Sequence, residues 1–235
     1  MNIALILAGG TDCNFQMQIP KQFVNVNNRP LIVYTMEIFQ KHHEIDKIAV
    51  VCLSGWQEMV KVYASQFNIT KLCNIISGGA NGQESSYNGI KELQNIIKSD
   101  DIVVIHDAIR PFVSDEIISD SIRVCREKGN GVAAVCSMDT IMKSDKGIVG
   151  VETIDRYDVM RIQTPQAYKY GFLSGAHRQA EECGITGLWD ACSMVSRLGE
   201  KIYFSKGAES NIKINTIEDV AMFKALYAMK ENGSF

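Results

Sequence analysis

The sequence predicts an α/β fold, a three-layer sandwich built around a mainly parallel sheet. Three observations predict it. Apolar runs without polar alternation recur along the chain, as in strands covered on both faces. Helix-period patterns lie between them. The connections are short, as in successive strand–helix units.

The predicted sheet strands are "IALIL" (3–7), "KIAVVCL" (47–53), "IVVIH" (102–106) and "GVAAVC" (131–136). Between them, "RPLIVYTMEIFQKH" (29–42) reads as a helix with Pro30 near its start. "QESSYNGIKELQNIIK" (83–98) places Ile90, Leu93, Ile96 and Ile97 along one helical face. "SDEIISDSIRVCREKG" (114–129) opens on a serine capping pattern and closes on Gly129. From about 138 to 168 the pattern changes to short alternating stretches with a turn at Gly147, which reads as a β-hairpin or arm and not as sandwich core. Helices over 169–198 and 216–231 flank a last pair of strands near 201–204 and 211–214.

Bulk composition narrows the function classes. The chain has 235 residues, 46% hydrophobic and 22% charged, an ordinary globular balance. A net charge of −3 gives no electrostatic reason to expect nucleic-acid or anionic-membrane partners. Any phosphate ligand must therefore be held by local cations and backbone amides. The seven cysteines are odd in number, form no CxxC or Cys/His cluster and sit partly in apolar runs. They read as reduced, buried thiols of a cytoplasmic protein and speak against a zinc site. The opening "MNIALILAGG" is interrupted too soon to read as a signal peptide or membrane span.

In parallel sheets ligands sit beyond the carboxyl ends of the strands. The residues to read for chemistry are therefore 8–14 with 21, 78–85, and 107–111. Ala8, Gly9 and Gly10 form a turn that permits close backbone approach to a ligand, or simply a turn. No GxGxxG or Gly-Lys-Ser/Thr follows, which removes the dinucleotide and Walker A readings. Pro20 and Lys21 place a lysine where it can reach back over phosphates, or leave it solvated. In "IHDAIRP", Asp107 ends a buried run, where a carboxylate is costly unless it serves something. It reads as a Mg²⁺ ligand, or as a cap or ion-pair partner of Arg110. His106 reads as a packed core histidine, and no arrangement supports a covalent nucleophile. Lys213 in "NIKIN" points away from Ile212 and Ile214, as a phosphate clamp or an edge-protecting charge. Arg156 in "ETIDRYD" lies on the arm, with Asp155 and Asp158 as possible ion-pair partners.

Taken in order, "LAGG…IPKQF", "SGG…ES", "HDAIRP", "MDTI", "IDR", "QTPQ", "WDAC" and "NIKI" resemble the successive motifs of the CTP-dependent polyol-phosphate cytidylyltransferases. That family includes the 2-C-methyl-D-erythritol 4-phosphate and ribitol 5-phosphate enzymes. The resemblance spans about residues 3 to 228. It implies a single domain over 1–235 with the nucleotide-diphospho-sugar transferase type of sandwich, and a homodimer clasped by the arm at about 138–168. It implies that Ala8, Gly9 and Gly10 lie against the nucleotide, with Gly79 and Ser85 lining the base and ribose pocket. Asp107 would hold Mg²⁺, flanked by Ala108 and Arg110. Lys21 and Lys213 would grip phosphates, and Thr140 and Arg156 of the partner's arm would bind the polyol phosphate. "RPLIVYTMEIF" and the "TPQAY…WDAC" spacing resemble the ribitol branch, which feeds cell-wall and capsule polymers. The isoprenoid-pathway enzyme is the alternative.

Three positions depart from the family pattern. Asn14 stands where the glycine turn normally carries an arginine, Gly82 where a second arginine follows the later glycine pair, and Trp189 where a threonine precedes Asp190. Either Lys21, Lys213, Mg²⁺ and backbone amides suffice for transfer, or the chain is a weakened homologue that binds a nucleotide or a partner. Retention of Lys21, Asp107, Arg156 and Lys213 favours the enzyme.

Overall fold

The computed structural model describes residues 1–10 and 19–232, so the turn positions Asp12, Cys13 and Asn14 lie outside the described residues. The strands are β1 (Asn2–Ala8), β2 (Asn25–Val26), β3 (Arg29–Pro30), β4 (Lys47–Cys52), β5 (Leu72–Ser77), β6 (Ile102–Asp107), β7 (Asn130–Cys136), β8 (Ile141–Asp145), β9 (Val149–Ile154), β10 (Met160–Lys169) and β11 (Phe204–Lys206). The helices are α1 (Leu31–Lys41), α2 (Gln57–Gln66), α3 (Gly82–Leu93), α4 (Asp115–Lys128), α5 (Tyr170–Glu182), α6 (Ala191–Arg197) and α7 (Ile217–Glu231).

Seven strands form one sheet in the order β11-β7-β10-β6-β1-β4-β5. The pairings β1–β4, β1–β6, β4–β5 and β7–β11 are parallel, and β10 is antiparallel to both β6 and β7. The sheet is thus mostly parallel, as the unbroken apolar runs predict. Alternation along each strand builds the two covering layers. Ala4, Ile6, Val50 and Val104 face α1, α2 and α4, whereas Ile3, Leu5, Val51 and Val103 face α3, α5 and α6. A third cluster seats Phe223 of α7 against Leu31, Tyr34, Ile109, Phe112 and Ile214.

Local signals explain several boundaries. Ser114 caps α4 by accepting from the Ile117 amide, and Gly129 closes it at φ 96°, a left-handed conformation that costs glycine little. Asn81 caps α3 through the Glu84 amide. Lys146 and Gly147 turn the β8–β9 hairpin at φ 50° and 75°.

The structure corrects three expectations and adds two elements. The arm is shorter than 138–168: β8 and β9 pair only with each other, but Met160–Lys169 lies within the main sheet between β6 and β7. Its polar residues disguise it, because Gln163, Thr164 and Gln166 are buried there as hydrogen-bonding groups. Residues 211–214 form no strand; the Ile214 amide donates to the Ile109 carbonyl, and Asn211 holds the rest, its side chain donating to the Thr164 carbonyl and its backbone carbonyl accepting from Arg110. Helix α2 and strand β5 escape the sequence patterns because both are half-exposed and polar-rich. Among the described cysteines, Cys52, Cys125 and Cys192 are buried, but Cys73, Cys136 and Cys183 are exposed, all as free thiols. Among the described residues, no helix is long and apolar enough to cross a membrane.

On α5, His177 is buried, stacks on Tyr87 and meets the Ser86 hydroxyl at 3.3 Å. Burial, with a smaller contribution from Lys91, lowers its pKa to about 4. The folded chain therefore keeps His177 neutral while the unfolded chain protonates below its ordinary value near 6.5. Folding stability should fall as pH drops from 6.5 towards 4, the share from His177 being on the order of 2 kcal/mol between pH 6.5 and 5. Urea midpoints at these pH values should show the loss, and His177→Gln should flatten the slope.

Candidate functional site

Strand β1 is the point at which the sheet order reverses: β4 and β5 continue on one side and β6 on the other. A crevice opens beyond such a switch point. Here it is a cleft of about 330 Å³ whose lining includes Ala8, Gly9, Gly10, Lys21, Gly79, Ser85, Asp107 and Lys213. A larger groove of about 640 Å³ runs beside Tyr34, Lys41 and Glu116, away from these side chains. The smaller cleft carries the chemistry, because the predicted glycines, lysines and carboxylate meet there.

Asp107 ends β6 directly opposite Leu7 of β1. Arg110 Nε approaches its carboxylate at 3.0 Å and Lys213 Nζ at 3.2 Å. Burial pushes the Asp107 carboxyl up, but Lys213 and Arg110 outweigh it and hold the pKa at about 2. The carboxylate is therefore ionised throughout the neutral range. The ion-pair reading of Asp107 is correct, and a lysine joins the pair.

The support beneath Asp107 is buried and polar. Its amide donates to Thr164 Oγ1 at 3.0 Å. His106 lies between Thr164 and the backbone, with Nδ1 3.1 Å from Thr164 Oγ1 and Nε2 3.1 Å from the Arg110 carbonyl oxygen. A carbonyl only accepts, so Nε2 carries the proton and Nδ1 accepts from the threonine hydroxyl. Burial lowers the His106 pKa to about 4, consistent with a neutral core imidazole. Asn211 continues the support. Its Nδ2 donates to the Thr164 carbonyl at 2.8 Å, and its own carbonyl accepts from Arg110 at 2.8 Å. Gln163 holds Ala208 through both backbone groups, at 2.8 and 3.2 Å. The loop carrying Lys213 is thus fastened to β10.

Lys21 lies on a short 3-10 turn, mostly buried, with Nζ 3.0 Å from Asn215 Oδ1. Its neighbour Gln22 donates to the carbonyls of Ala8 at 2.7 Å and Gly10 at 3.2 Å, bracing the first glycine turn. The two predicted lysines are therefore drawn to one cleft through Asn215 and Asp107.

The described lining on the other side of the cleft has no charged residue, and the Glu84 carboxylate of α3 accepts from the Ala80 amide there at 2.8 Å. Gly79 donates its amide to Ser85 Oγ at 3.0 Å, and a side chain at Gly9 would meet that same oxygen at 3.2 Å. The N-terminus of α3 lies here with its amides engaged: besides the Ala80 bond, the Glu84 amide donates to Asn81 Oδ1 at 2.9 Å and the Gln83 amide to the Leu188 carbonyl at 3.2 Å. Gly82 has a steric cause: a Cβ there would lie 2.0 Å from the Trp189 carbonyl oxygen. An arginine at position 82 is incompatible with this loop, so two departures from the family pattern, Gly82 and Trp189, are one structural feature.

Other predicted residues lie elsewhere. Ala108 is fully buried, its amide bonded to Leu7 and its carbonyl to the Thr35 hydroxyl. Arg110 braces Asp107 from behind and is not part of the cleft lining. Thr140 and Arg156 are exposed beside the arm, away from the cleft of their own chain, with Arg156 over the Tyr157 ring at 5.4 Å. Sequence reading assigned no role to Gln22, Thr164, Asn211 or Asn215. Three of these fall inside the quoted "IPKQF", "QTPQ" and "NIKI" motifs, which was the available signal.

Comparison with known proteins agrees with this geometry. Residues 2–229 match the family described as IspD: 2-C-methyl-D-erythritol 4-phosphate cytidylyltransferase. The ribitol-5-phosphate cytidylyltransferase of Lacticaseibacillus paracasei is 41% identical over 234 residues, covering 98% of this chain and all of that protein. A 2-C-methyl-D-erythritol 4-phosphate cytidylyltransferase of Clostridium botulinum is 34% identical over 222 residues, covering 94% of this chain and 95% of its own. In fold, the chain resembles the crystal structure of 4-diphosphocytidyl-2C-methyl-D-erythritol synthase from Anaerococcus prevotii, with TM-score 0.81 and 23% identity over 97% of this chain and 96% of that one.

Thr164→Val should leave the Asp107 amide and His106 Nδ1 without a buried partner. The expected loss is about 1–3 kcal/mol in urea unfolding, and Thr164→Ser, which keeps the hydroxyl, should keep most of the wild-type stability.

Proposed function

The chain belongs to the 2-C-methyl-D-erythritol 4-phosphate cytidylyltransferase (IspD) family and is a polyol-phosphate cytidylyltransferase; on that premise we propose that it transfers CMP from CTP to ribitol 5-phosphate and releases pyrophosphate. The observation that carries this reading is the convergence of Lys21, Asp107 and Lys213 on one cleft beside the glycine turn. The choice of polyol is supported by the 41% identity to a ribitol 5-phosphate enzyme over the full length of that protein.

In the proposed reaction a phosphate oxygen of ribitol 5-phosphate attacks the α-phosphorus of CTP in line. A new phosphorus–oxygen bond forms, the α–β bridging bond breaks and its electron pair leaves with pyrophosphate. Both reactants are anions, so the protein acts by neutralising charge and positioning the groups. Lys213, partly exposed beside Asp107, holds the reacting phosphates; Lys21, bonded to Asn215 of the segment that carries Lys213, reaches them from the same side. Backbone amides of the glycine turn take the remaining oxygens.

Mg²⁺ fits this donor set in one way. Asp107 is ionised and lines the cleft, but among the described residues no group of three His, Cys, Asp or Glu side chains could cage a metal. An ion held by one carboxylate and completed by substrate phosphates and water is the usual magnesium arrangement. When bound, it would neutralise triphosphate charge and hold the phosphates in register. Asp107 would hold it, and Arg110 and Lys213 keep that carboxylate ionised beforehand.

The arm is proposed to clasp a second copy of the chain, with Thr140 and Arg156 entering the partner's cleft to bind the polyol phosphate. Its exposed Met142, Ile148, Val149, Val151 and Ile154 support this, since the two-stranded ribbon has no sheet of its own to cover them.

Incubation with CTP, Mg²⁺ and either polyol phosphate should release pyrophosphate fastest with ribitol 5-phosphate. Faster release with methylerythritol phosphate would assign the other branch, and none with either would leave a binding homologue. Lys213→Ala should lower kcat by about 10²-fold with little change in Tm. Arg156→Ala should raise KM for the polyol phosphate and leave KM for CTP unchanged, as read from initial rates.

A further inference from the structure

Trp189 is 90% exposed at the mouth of the cleft, and it is part of the lining. A large apolar ring is costly to leave in water. Its backbone, however, is fastened on both sides. Gln83 Nε2 donates to the Ile185 carbonyl at 2.7 Å, Gln83 Oε1 accepts from the Leu188 amide at 3.1 Å, and the Gln83 amide donates to the Leu188 carbonyl at 3.2 Å. After the tryptophan, Asp190 caps α6 through the Ser193 amide at 2.8 Å and accepts from Gln166 of β10 at 3.3 Å. Gly82 exists in the form the loop needs, because any Cβ there would strike the Trp189 carbonyl. The loop is thus pinned to α3 and α6 in a way that presents an indole where a threonine and a nearby arginine would otherwise stand.

The cleft is polarised around the glycine turn. Among the described residues, Lys21, Asp107 and Lys213 are its charged lining residues and cluster towards β6. Gly79, Ala80, Asn81, Gly82 and Ser85, on the β5 and α3 side, carry no charge, and Trp189 stands with them. Cations at one end take phosphates. A neutral, small-residue end beside an aromatic ring takes a flat uncharged ring. Stacking of a nucleobase on an aromatic side chain is worth enough to matter and needs no charge.

We infer that Trp189 is a specificity-determining residue that stacks on the cytosine base of CTP, supplying on the base side affinity that an arginine at position 82 cannot supply in this chain. The inference rests on reading the cleft as the CTP site. It makes the chain's grip on CTP less dependent on charge near α3, and it explains why the glycine and the tryptophan occur together.

The test separates base from phosphate, and binding from turnover. CTP binding with Mg²⁺ is measured by calorimetry without any polyol phosphate, beside inorganic tripolyphosphate as a base-free probe. Trp189→Ala should weaken CTP binding about ten-fold, leave tripolyphosphate binding unchanged, and be largely rescued by Trp189→Phe but not by Trp189→Leu. CTP should also quench the emission of the wild-type chain more than that of Trp189→Phe, in which Trp56, stacked on Phe23 at 4.3 Å, is the remaining indole. Unchanged CTP affinity in Trp189→Ala, an equal loss for both probes, or full rescue by leucine would each overturn the inference. A chain that binds CTP through Trp189 yet releases no pyrophosphate with any polyol phosphate would sink the proposed reaction and leave this inference standing.

Discussion

Strand β10 runs against its parallel neighbours in the main sheet, and its central four residues hold the working parts of the cleft in place. Gln163 and Thr164 fasten the loop that ends at Lys213, Thr164 receives the Asp107 amide, and Gln166 reaches the cap of α6 beside Trp189. A parallel sheet alone presents its strand ends to a crevice but does not tie distant loops across it. The antiparallel insertion does, because β10 enters the sheet from the cleft side and leaves it at the far end. Gln163, Thr164 and Gln166 each find partners on other segments, so a polar stretch that would otherwise be a liability is satisfied, and among the described residues Asn211 Oδ1 is the buried atom of the group without a partner.

Charge at the cleft follows the same economy. The protein carries a net charge of −3, yet two cations converge on the one carboxylate that lines the cleft among the described residues. In this partly buried position their attraction exceeds the cost of burial and keeps Asp107 ionised. A site preset in this way meets anionic ligands without having to reorganise, which is the main advantage an enzyme of phosphate transfer can have over water. Arg110 is half of that preset although it is shut out of the cleft, so the two predicted arginine and lysine contacts differ in kind: one supports and one faces ligand.

Much of the sandwich was legible in the sequence. Unbroken apolar runs at 3–7, 47–53, 102–106 and 131–136 became adjacent or near-adjacent strands because burial on both faces tolerates no polar alternation. Ser114 and Gly129 bounded α4 for purely local reasons. Strand β10 was hidden, since its buried positions hold Gln163, Thr164 and Gln166, and a polar residue satisfied by a distant loop leaves no periodic trace. Strand β5 and helix α2 were hidden for the opposite reason, exposure.

For the site, the sequence by itself determined which side chains could matter: Lys21 follows a proline, Asp107 ends an apolar run and Lys213 alternates with two isoleucines, and that local chemistry marks them. Only the tertiary structure decided how they are used. Pairing Lys213 with Asp107 spans more than a hundred residues, the hydrogen bonds of Thr164 and Asn211 cross between strand and loop, and the Gly82–Trp189 approach joins two segments that share no local pattern. Local propensity acts over a few neighbours along the chain, whereas charge pairing, satisfaction of buried polar atoms and steric fit act through space, and space is assigned by the fold.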